Sequence, residues 1–406
     1  MWGQDRVKRL VGHDLDLQAA WGRASALQSA GDARQAAELW ARIAAAAPQS
    51  AAARFNLGAT LLAQHRFADA EAAFRAALAL DPNNAAVHHR LGNLLQATGR
   101  WSEAEPCYLS SLRLDPSPWR VRLDLAHLHL GQGDFAKGWP LFEARRSLGD
   151  DHVRPPPLLN EWQGEPLRGR RVLVWPEQGF GDQIQFARFV PEIARRGADV
   201  TLVTPPELAR LFESLGVRVV ANEDGAEIAE PDYWTLIASL PLRLAAGEAA
   251  LPASGYLQAP EAARERWRGF APKGTVGLMW QGRATPNPHR SLPSRSLLDP
   301  LVEAGANLID LAPPAGSDFG DTAAVVEQLD LVITVDTAVA HLAGALGKPC
   351  WVLLPWLNAD WRWMQGRSDS PWYPSMRLFR QPSHGDWVSV VAEVVQAWCE
   401  RDRARR

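Results

Sequence analysis

A single spacing governs the first third of this 406-residue chain. Slid along itself, the sequence repeats every 34 residues. Pro48, Pro82 and Pro116 recur in that register, and so do Gly31, His65, Gly99 and Gly133. A small residue follows at Ala36, Ala70, Ala104 and Gly138, and an aromatic one at Trp40, Phe74, Tyr108 and Phe142. Four positions agreeing in register mean one structural unit used repeatedly, each unit burying its apolar side only against its neighbours. Within a unit the apolar spacing predicts two amphipathic helices, for example over 51–64 and 67–80. The second ends at Asp81-Pro82, where proline cannot continue a helix.

This unit resembles the tetratricopeptide repeat, with its Leu-Gly pair at Leu57-Gly58 and Leu91-Gly92. The resemblance implies a helical solenoid of about four units over residues 1–152, with a face that holds an extended peptide. Arg54, Asn56, His88, Asn93 and Arg122 are the candidate face residues. Self-association of the array, giving a homo-oligomer, is the alternative use.

The pattern changes at residues 150–169, DDHVRPPPLLNEWQGEPLRG, a proline-rich stretch without helical or strand period. We place a linker at 153–169. Beyond it, short runs apolar on both faces alternate with helical segments, the pattern of a parallel sheet covered by helices. The expected strands are 171–175, 199–204, 217–220 and 233–238 in one lobe, residues 170–262. In a second lobe, 263–406, they are 275–280, 307–311, 331–335 and 350–354. The expected fold class is therefore α plus α/β, a helical solenoid followed by two Rossmann-like parallel-sheet lobes with a cleft between them.

Two strand-to-helix turns carry the polar residues. In the first lobe, Glu177-Gln178-Gly179-Phe180-Gly181-Asp182 precedes a helix containing Gln185. It is either a plain connection capped by Asp182 or an anion site built on the helix N-terminus. In the second lobe, Asp336 and Thr337 open a helix at a strand end, so backbone N–H groups and a hydroxyl converge where a diphosphate would be held. His341 is four residues beyond Thr337, on the same helical side. Trp280-Gln281-Gly282 at another strand end and the stretch Asp360 to Trp363 are the tryptophan-bearing loops most suited to stacking on a sugar or base.

The block DTAVAHLAGALGKP, preceded by DTAAVVEQLDLVITV, resembles the nucleotide-sugar motif of heptosyltransferase-like glycosyltransferases of family 9, which have the GT-B fold. The phrases VWPEQGFGDQIQFARF and SPWYPSMRLFRQ resemble the repeat-fused branch that includes proposed flagellin and other protein glycosyltransferases. The resemblance implies an inverting, metal-independent transfer of a sugar from a nucleotide-sugar to an acceptor hydroxyl, with no cofactor beyond that donor. It makes Asp182 the general base and puts Asp336, Thr337, His341 and Arg290 on the donor. Gln178, Gly179, Gly181 and Gln185 then form the acceptor loop. Ala338 stands where the family has glycine, and Glu177 competes with Asp182 as base. The acceptor is expected to be a protein or peptide chosen by the repeats. A non-catalytic repeat scaffold, and a transferase acting on a lipid-linked or polysaccharide glycan, are the other readings.

Composition excludes other classes. A net charge of −3 with lysine only at Lys8, Lys137, Lys273 and Lys348 does not suit a nucleic-acid partner. Cys107, Cys350 and Cys399 form neither a disulfide framework nor a metal-ligand spacing, which fits the reducing cytoplasm. No apolar window is long enough to span a membrane. The first-lobe turn lacks the GxGxxG of a dinucleotide-binding dehydrogenase.

Overall fold

The computed structural model describes residues 16–148, 160–223, 228–247, 251, 255–283, 287–311 and 317–405. The chain divides into two compact units, one up to Leu125 and one from Ala126 onward.

The first unit is a run of paired helices: Leu17–Ser29, Ala33–Ala46, Ala51–Ala63, Phe67–Leu80, Ala85–Ala97 and Trp101–Leu114, leading into Trp119–Gly131. Short polar side chains start several of them. Asp32 accepts from Gln35 N at 3.0 Å, Ser50 from Ala53 N at 3.2 Å and Asn84 from Val87 N at 3.3 Å, each satisfying one orphan donor of a first helical turn. The 34-residue register has a backbone cause. Gly31, His65, Gly99 and Gly133 all sit at positive φ, 81°, 58°, 78° and 81°, so the turn inside each unit demands the left-handed conformation. Trp40 and Phe74 are fully buried, and a Cβ on Gly58 would come within 2.8 Å of the Phe74 ring. Glycine in the Leu-Gly pair is thus the space the aromatic of the same unit occupies.

Arg54, His88 and Arg122 share another role. They donate to, or bond with, the carbonyls of Pro48, Pro82 and Pro116 at 3.0, 2.9 and 2.5 Å. Three side chains expected on a ligand face therefore fasten the turns between units, and their spacing from the prolines is the periodic signal that says so.

The second unit opens with Phe135–Phe142 and a 3₁₀ turn, Glu143–Leu148, and continues into two parallel sheets. One holds β1 (Arg171–Trp175), β2 (Asp199–Thr204), β3 (Arg218–Ala221) and β4 (Tyr233–Leu236) in the order β3-β2-β1-β4. The other holds β5 (Thr275–Met279), β6 (Asn307–Asp310), β7 (Leu331–Val335), β8 (Cys350–Leu354) and β9 (Met376–Arg380) in the order β6-β5-β7-β8-β9. All pairings are parallel, and β7 and β8 are buried along their whole length, which accounts for their continuous apolar runs. The helix Trp387–Arg405 covers the second sheet, with Val390, Val391, Val394 and Trp398 in its core.

Eight of the nine strands fall where the apolar runs place them. β9 was missed, because its alternation of Arg377 and Arg380 with Met376, Leu378 and Phe379 masks an apolar run. Part of the segment read as linker, Asn160 to Trp162, lies along β4: Trp162 N donates to Trp234 O at 2.8 Å, and Trp162 is fully buried. Residues 150–159 of the proline-rich stretch lie outside the described residues. Among the described residues no helix is long and apolar enough to cross a membrane.

Candidate functional site

In an open parallel sheet, the strands to either side of a reversal in strand order leave a crevice at their carboxyl ends. The reversal falls at β1, flanked by β2 and β4, and at β5, flanked by β6 and β7. The turns after β1, β5 and β7 are the three that hold Asp182, Trp280 to Gly282, and Asp336 with Thr337.

After β1, Gln178 takes a left-handed φ of 61°, an uncommon conformation for a non-glycine residue, and Gly179 then caps the helix Phe180–Ala187. Asp182, in the first turn, reaches back: its Oδ2 accepts from Gly179 N at 3.0 Å. Its Oδ1 takes an ion pair from Arg362. The Asp182 side chain retains 24% exposure. Gly181 lies against the second lobe, where a Cβ would be 2.8 Å from His341 Cδ2 and 3.3 Å from Ala338 Cα. The glycine lets the helix that carries Asp182 pack directly on the helix Ala338–Ala345.

Glu177 has a different fate. It is buried in an ion pair with Arg145, whose Nε and Nη2 donate to its two oxygens at 3.0 and 2.7 Å. Oε1 also accepts from Ala238 N at 3.1 Å. Arg145, on the 3₁₀ turn after the repeats, further donates to Ser239 Oγ and Glu143. Glu177 thus joins Glu143–Leu148 to the first sheet and does not share the surroundings of Asp182.

After β7, Thr337 caps the helix Ala338–Ala345 with extended backbone, and its hydroxyl is 3.1 Å from that of Thr334. Gly282 faces it: a Cβ there would be 3.2 Å from Thr337 Cγ2 and 3.0 Å from Arg290 Nε. Gly282 N donates to Ser291 Oγ at 2.9 Å, and Arg290 donates to the Arg283 carbonyl at 3.1 and 2.8 Å. Thr337, Gly282 and Arg290 are therefore one cluster. Gln281 beside them is exposed, whereas Trp280 packs on the core of the second sheet.

Asp336 is half-buried. Burial and the neighbouring charge of Asp360 push its pKa up to about 7, against the pull of the Trp363 indole, Arg290 and Arg362. His341 lies deeper, 5% exposed, stacked on Trp363 with ring centroids 5.2 Å apart and bonded through Nδ1 to Tyr373 OH at 3.0 Å. Burial and the charge of Arg362 push it down to about 3, so the ring is neutral and is packed between the two helices.

Asp360 and Arg362 form an ion pair. Asp360 accepts from Arg362 at 3.0 and 3.1 Å, and this guanidinium holds its carboxyl below the usual range despite burial. Trp361 faces the other way, edge-on to Trp139 and Phe142 of the helix Phe135–Phe142, at 5.8 Å in each case. Gln185 is buried and its Oε1 accepts from Arg362. Arg188, one turn further along the chain, is a buried cation that sequence spacing does not single out. It donates to Trp372 O at 2.8 Å and lies over the rings of Tyr373 and Tyr256. Only the crowd of aromatic residues around 361–373 hinted that a cation would be caged there.

In the first unit, a groove of about 770 Å³ runs between the helices Ala33–Ala46 and Phe67–Leu80, with Arg34, Glu38, Leu57, Leu61, Arg66 and Asp69 on its walls.

Comparison with known proteins adds two results. Residues 22–85 and 89–147 match a family described as tetratricopeptide repeat, and residues 61–110 match a second family of that description. The N-terminal repeats are tetratricopeptide repeats, and the chain as a whole is a tetratricopeptide solenoid followed by an α/β region with two parallel sheets. Protein FlbA of Caulobacter vibrioides is 28% identical over 323 residues, covering 67% of this chain and 54% of that protein. The chain therefore spans about half the length of that relative. Among solved structures, one described as MamA MSR-1 C2 is similar at 25% identity with a TM-score of 0.30, over 34% of this chain and 80% of that one. A thermophilic TPR protein of Thermus thermophilus is similar at 20% identity with a TM-score of 0.31, over 34% of this chain and 76% of that one.

Proposed function

We propose that this chain is an inverting glycosyltransferase of the GT-B kind, moving a sugar from a nucleotide-sugar to an acceptor hydroxyl. The observation that carries the reading is the cluster at the ends of β5 and β7. There an eight-residue helix opens at Thr337, Gly282 lets the Thr337 and Arg290 side chains come close together, and Arg290 supplies positive charge. A diphosphate leaving group needs such a cradle: unpaired N–H groups, a hydroxyl and a guanidinium held in place before the bond breaks. Asp182, on the other sheet's switch point and still reachable by solvent, is the carboxylate suited to take the acceptor's proton. Glu177 is less suited, since its side chain is 2% exposed against 24% for Asp182, and it is held by the equally buried Arg145. His341 and Trp280 serve as packing in this reading, beneath the donor rather than on it.

The repeats, a scaffold for holding other proteins, make a polypeptide the favoured acceptor. Nothing among the described groups selects one sugar. The test is direct. Among UDP, GDP, ADP, CDP and dTDP, at least one is expected to raise the melting temperature of the full-length protein, and Thr337→Val with Arg290→Gln should remove the rise. A wild-type protein indifferent to all five would end the proposal.

Asp336 gives this binding a pH dependence. A carboxylate beside an incoming diphosphate is repelled, so the complex favours the protonated acid and binding takes up a proton. With the pKa raised to about 7 in the free protein, affinity should be full below pH 6 or so and weaken as pH rises through neutrality, approaching about tenfold per unit at the alkaline end. Isothermal titration at pH 6, 7 and 8 measures it. Asp336→Asn should flatten the profile, and an unchanged slope in that variant would assign the dependence elsewhere. For stability the same shift has the opposite sense from that of a paired carboxylate. The folded form holds its proton where the unfolded one has lost it, so Asp336 makes the protein less stable as pH rises from about 4 to 7.

A further inference from the structure

Arg362, in the loop after β8, reaches across to the helix that follows β1. Its side chain is 6% exposed. The guanidinium carbon lies 4.4 Å from the Trp361 ring centroid and 5.6 Å from that of Phe186, over one ring from each lobe. Nη1 donates to both oxygens of Asp360, at 3.0 and 3.1 Å. Nε donates to Gln185 Oε1 and Nη2 to Asp182 Oδ1. Asp182 and Gln185 are three residues apart on the helix Phe180–Ala187, hence on one face of it. One planar fork therefore joins the loop after β8 to two successive points of the helix that carries Asp182. A lysine ammonium at this place could not make the same set of directed bonds.

The clamp is anchored from behind. Trp361 is edge-on to Trp139, Phe142 and Trp372, with centroids 5.8, 5.8 and 5.9 Å away, so the loop cannot shift without opening an aromatic cluster. Burial opposes the charge on Arg362, but the carboxylates of Asp360 and Asp182 outweigh it and raise its pKa above the ordinary arginine value. The cation is permanent.

We propose that Arg362 is a positioning residue for Asp182. It turns Oδ1 toward the second lobe while Gly179 N holds Oδ2, and so sets where the base stands relative to the helix that opens at Thr337. Asp360 is its counter-anchor. This inference rests on the reading of Asp182 as base, and it assigns Arg362 an effect on turnover without one on donor binding, because the phosphate cradle is built from Thr337, Gly282 and Arg290.

Full-length wild type, Arg362→Lys and Asp360→Asn are compared in three measurements. First, whichever of UDP, GDP, ADP, CDP or dTDP binds the wild type should bind Arg362→Lys within about threefold. Second, with the sugar conjugates of that nucleotide, kcat for transfer or for slow donor hydrolysis should fall about 100-fold in Arg362→Lys while the donor KM moves less than about threefold, the size of loss expected when a reacting group is displaced by about 1 Å. Asp360→Asn should show a smaller fall in kcat. Third, hydrogen exchange at amides 183–187 should quicken by about tenfold or more in both variants, with β7 unchanged. Turnover within threefold of wild type, or kcat loss accompanied by an equal rise in KM, would overturn the assignment. If the wild type binds no nucleotide, the proposed function falls by itself, and hydrogen exchange alone then decides the clamp: unaltered protection of 183–187 in both variants rejects it.

Discussion

Asp182→Asn is expected to lower kcat for sugar transfer on the order of 10²- to 10⁴-fold, the range associated with loss of a positioned general base. The substitution keeps size and shape, and asparagine still presents one oxygen, so the bond from Gly179 N or the contact with Arg362 survives in part. The fold should be little affected, because this side chain is partly exposed and Arg362, though buried, keeps its two bonds to Asp360. Steady-state kinetics beside a melting curve separate the two effects. Glu177→Gln is the informative control. Its carboxylate is 2% exposed and bound to Arg145, so the change should act on stability first and on turnover only as folded protein is lost. A variant Asp182→Asn that keeps a third of wild-type kcat would remove Asp182 as base, and a selective kcat loss in Glu177→Gln would put the role there instead.

The largest stability effect is expected at Arg145. Arg145→Met leaves Glu177, and in part Glu143, without the guanidinium that compensates them, in a place where both Arg145 and Glu177 side chains are 2% exposed. Stranding a buried carboxylate in this way costs about 3–5 kcal/mol. That is a large share of the stability of an ordinary domain. Urea unfolding followed by tryptophan fluorescence would show it as a lower midpoint at unchanged slope. Since the penalty belongs to the unpaired charge, the double variant Arg145→Met with Glu177→Gln should recover a good part of the loss. Additive losses in the double variant would mean that the pair itself, with its bonds to Ser239 and Ala238, is the stabilising element.

Arg145 also shows why the end of the repeat array is more than a tail. The helix Phe135–Phe142 continues the 34-residue pattern through Gly138 and Phe142, yet it is packed with the α/β unit. Trp139 Nε1 donates to Ala246 O at 2.8 Å, and Trp139 meets Trp361 and Trp372 edge-on. Repeat units bury their faces against whatever neighbour follows them. For this last one the neighbour is the α/β region of its own compact unit, and the pattern along the chain is the same either way.

Most of the architecture was legible. Proline, small and aromatic residues in a fixed register report local requirements: a left-handed turn at Gly31, Gly99 and Gly133, and a space beside Phe74 that only Gly58 leaves. The parallel strands were legible because burial on both faces writes an unbroken apolar run, and β9 was not, because charged residues interrupt it. The candidate site divides in the same manner. Strand ends and helix starts are local, so the turns holding Asp182 and Thr337 could be found by reading.

What side chains do across the fold could not be read in that way. Arg54, His88 and Arg122 have the polarity of a binding face, and each also bonds a proline carbonyl, Arg54 while lining the groove of the first unit. Glu177 and Asp182 are five residues apart, yet the first turns to Arg145 and the second to Arg362, 180 residues away. The amino-acid order by itself determined the repeating helical pairs, the two sheets and the strand-to-helix turns that hold Asp182 and Thr337, since each follows from backbone preference and periodic burial. The tertiary structure alone decided which charge meets which, because a buried ion pair depends on the distance between side chains brought together by packing, and that distance leaves no spacing along the chain.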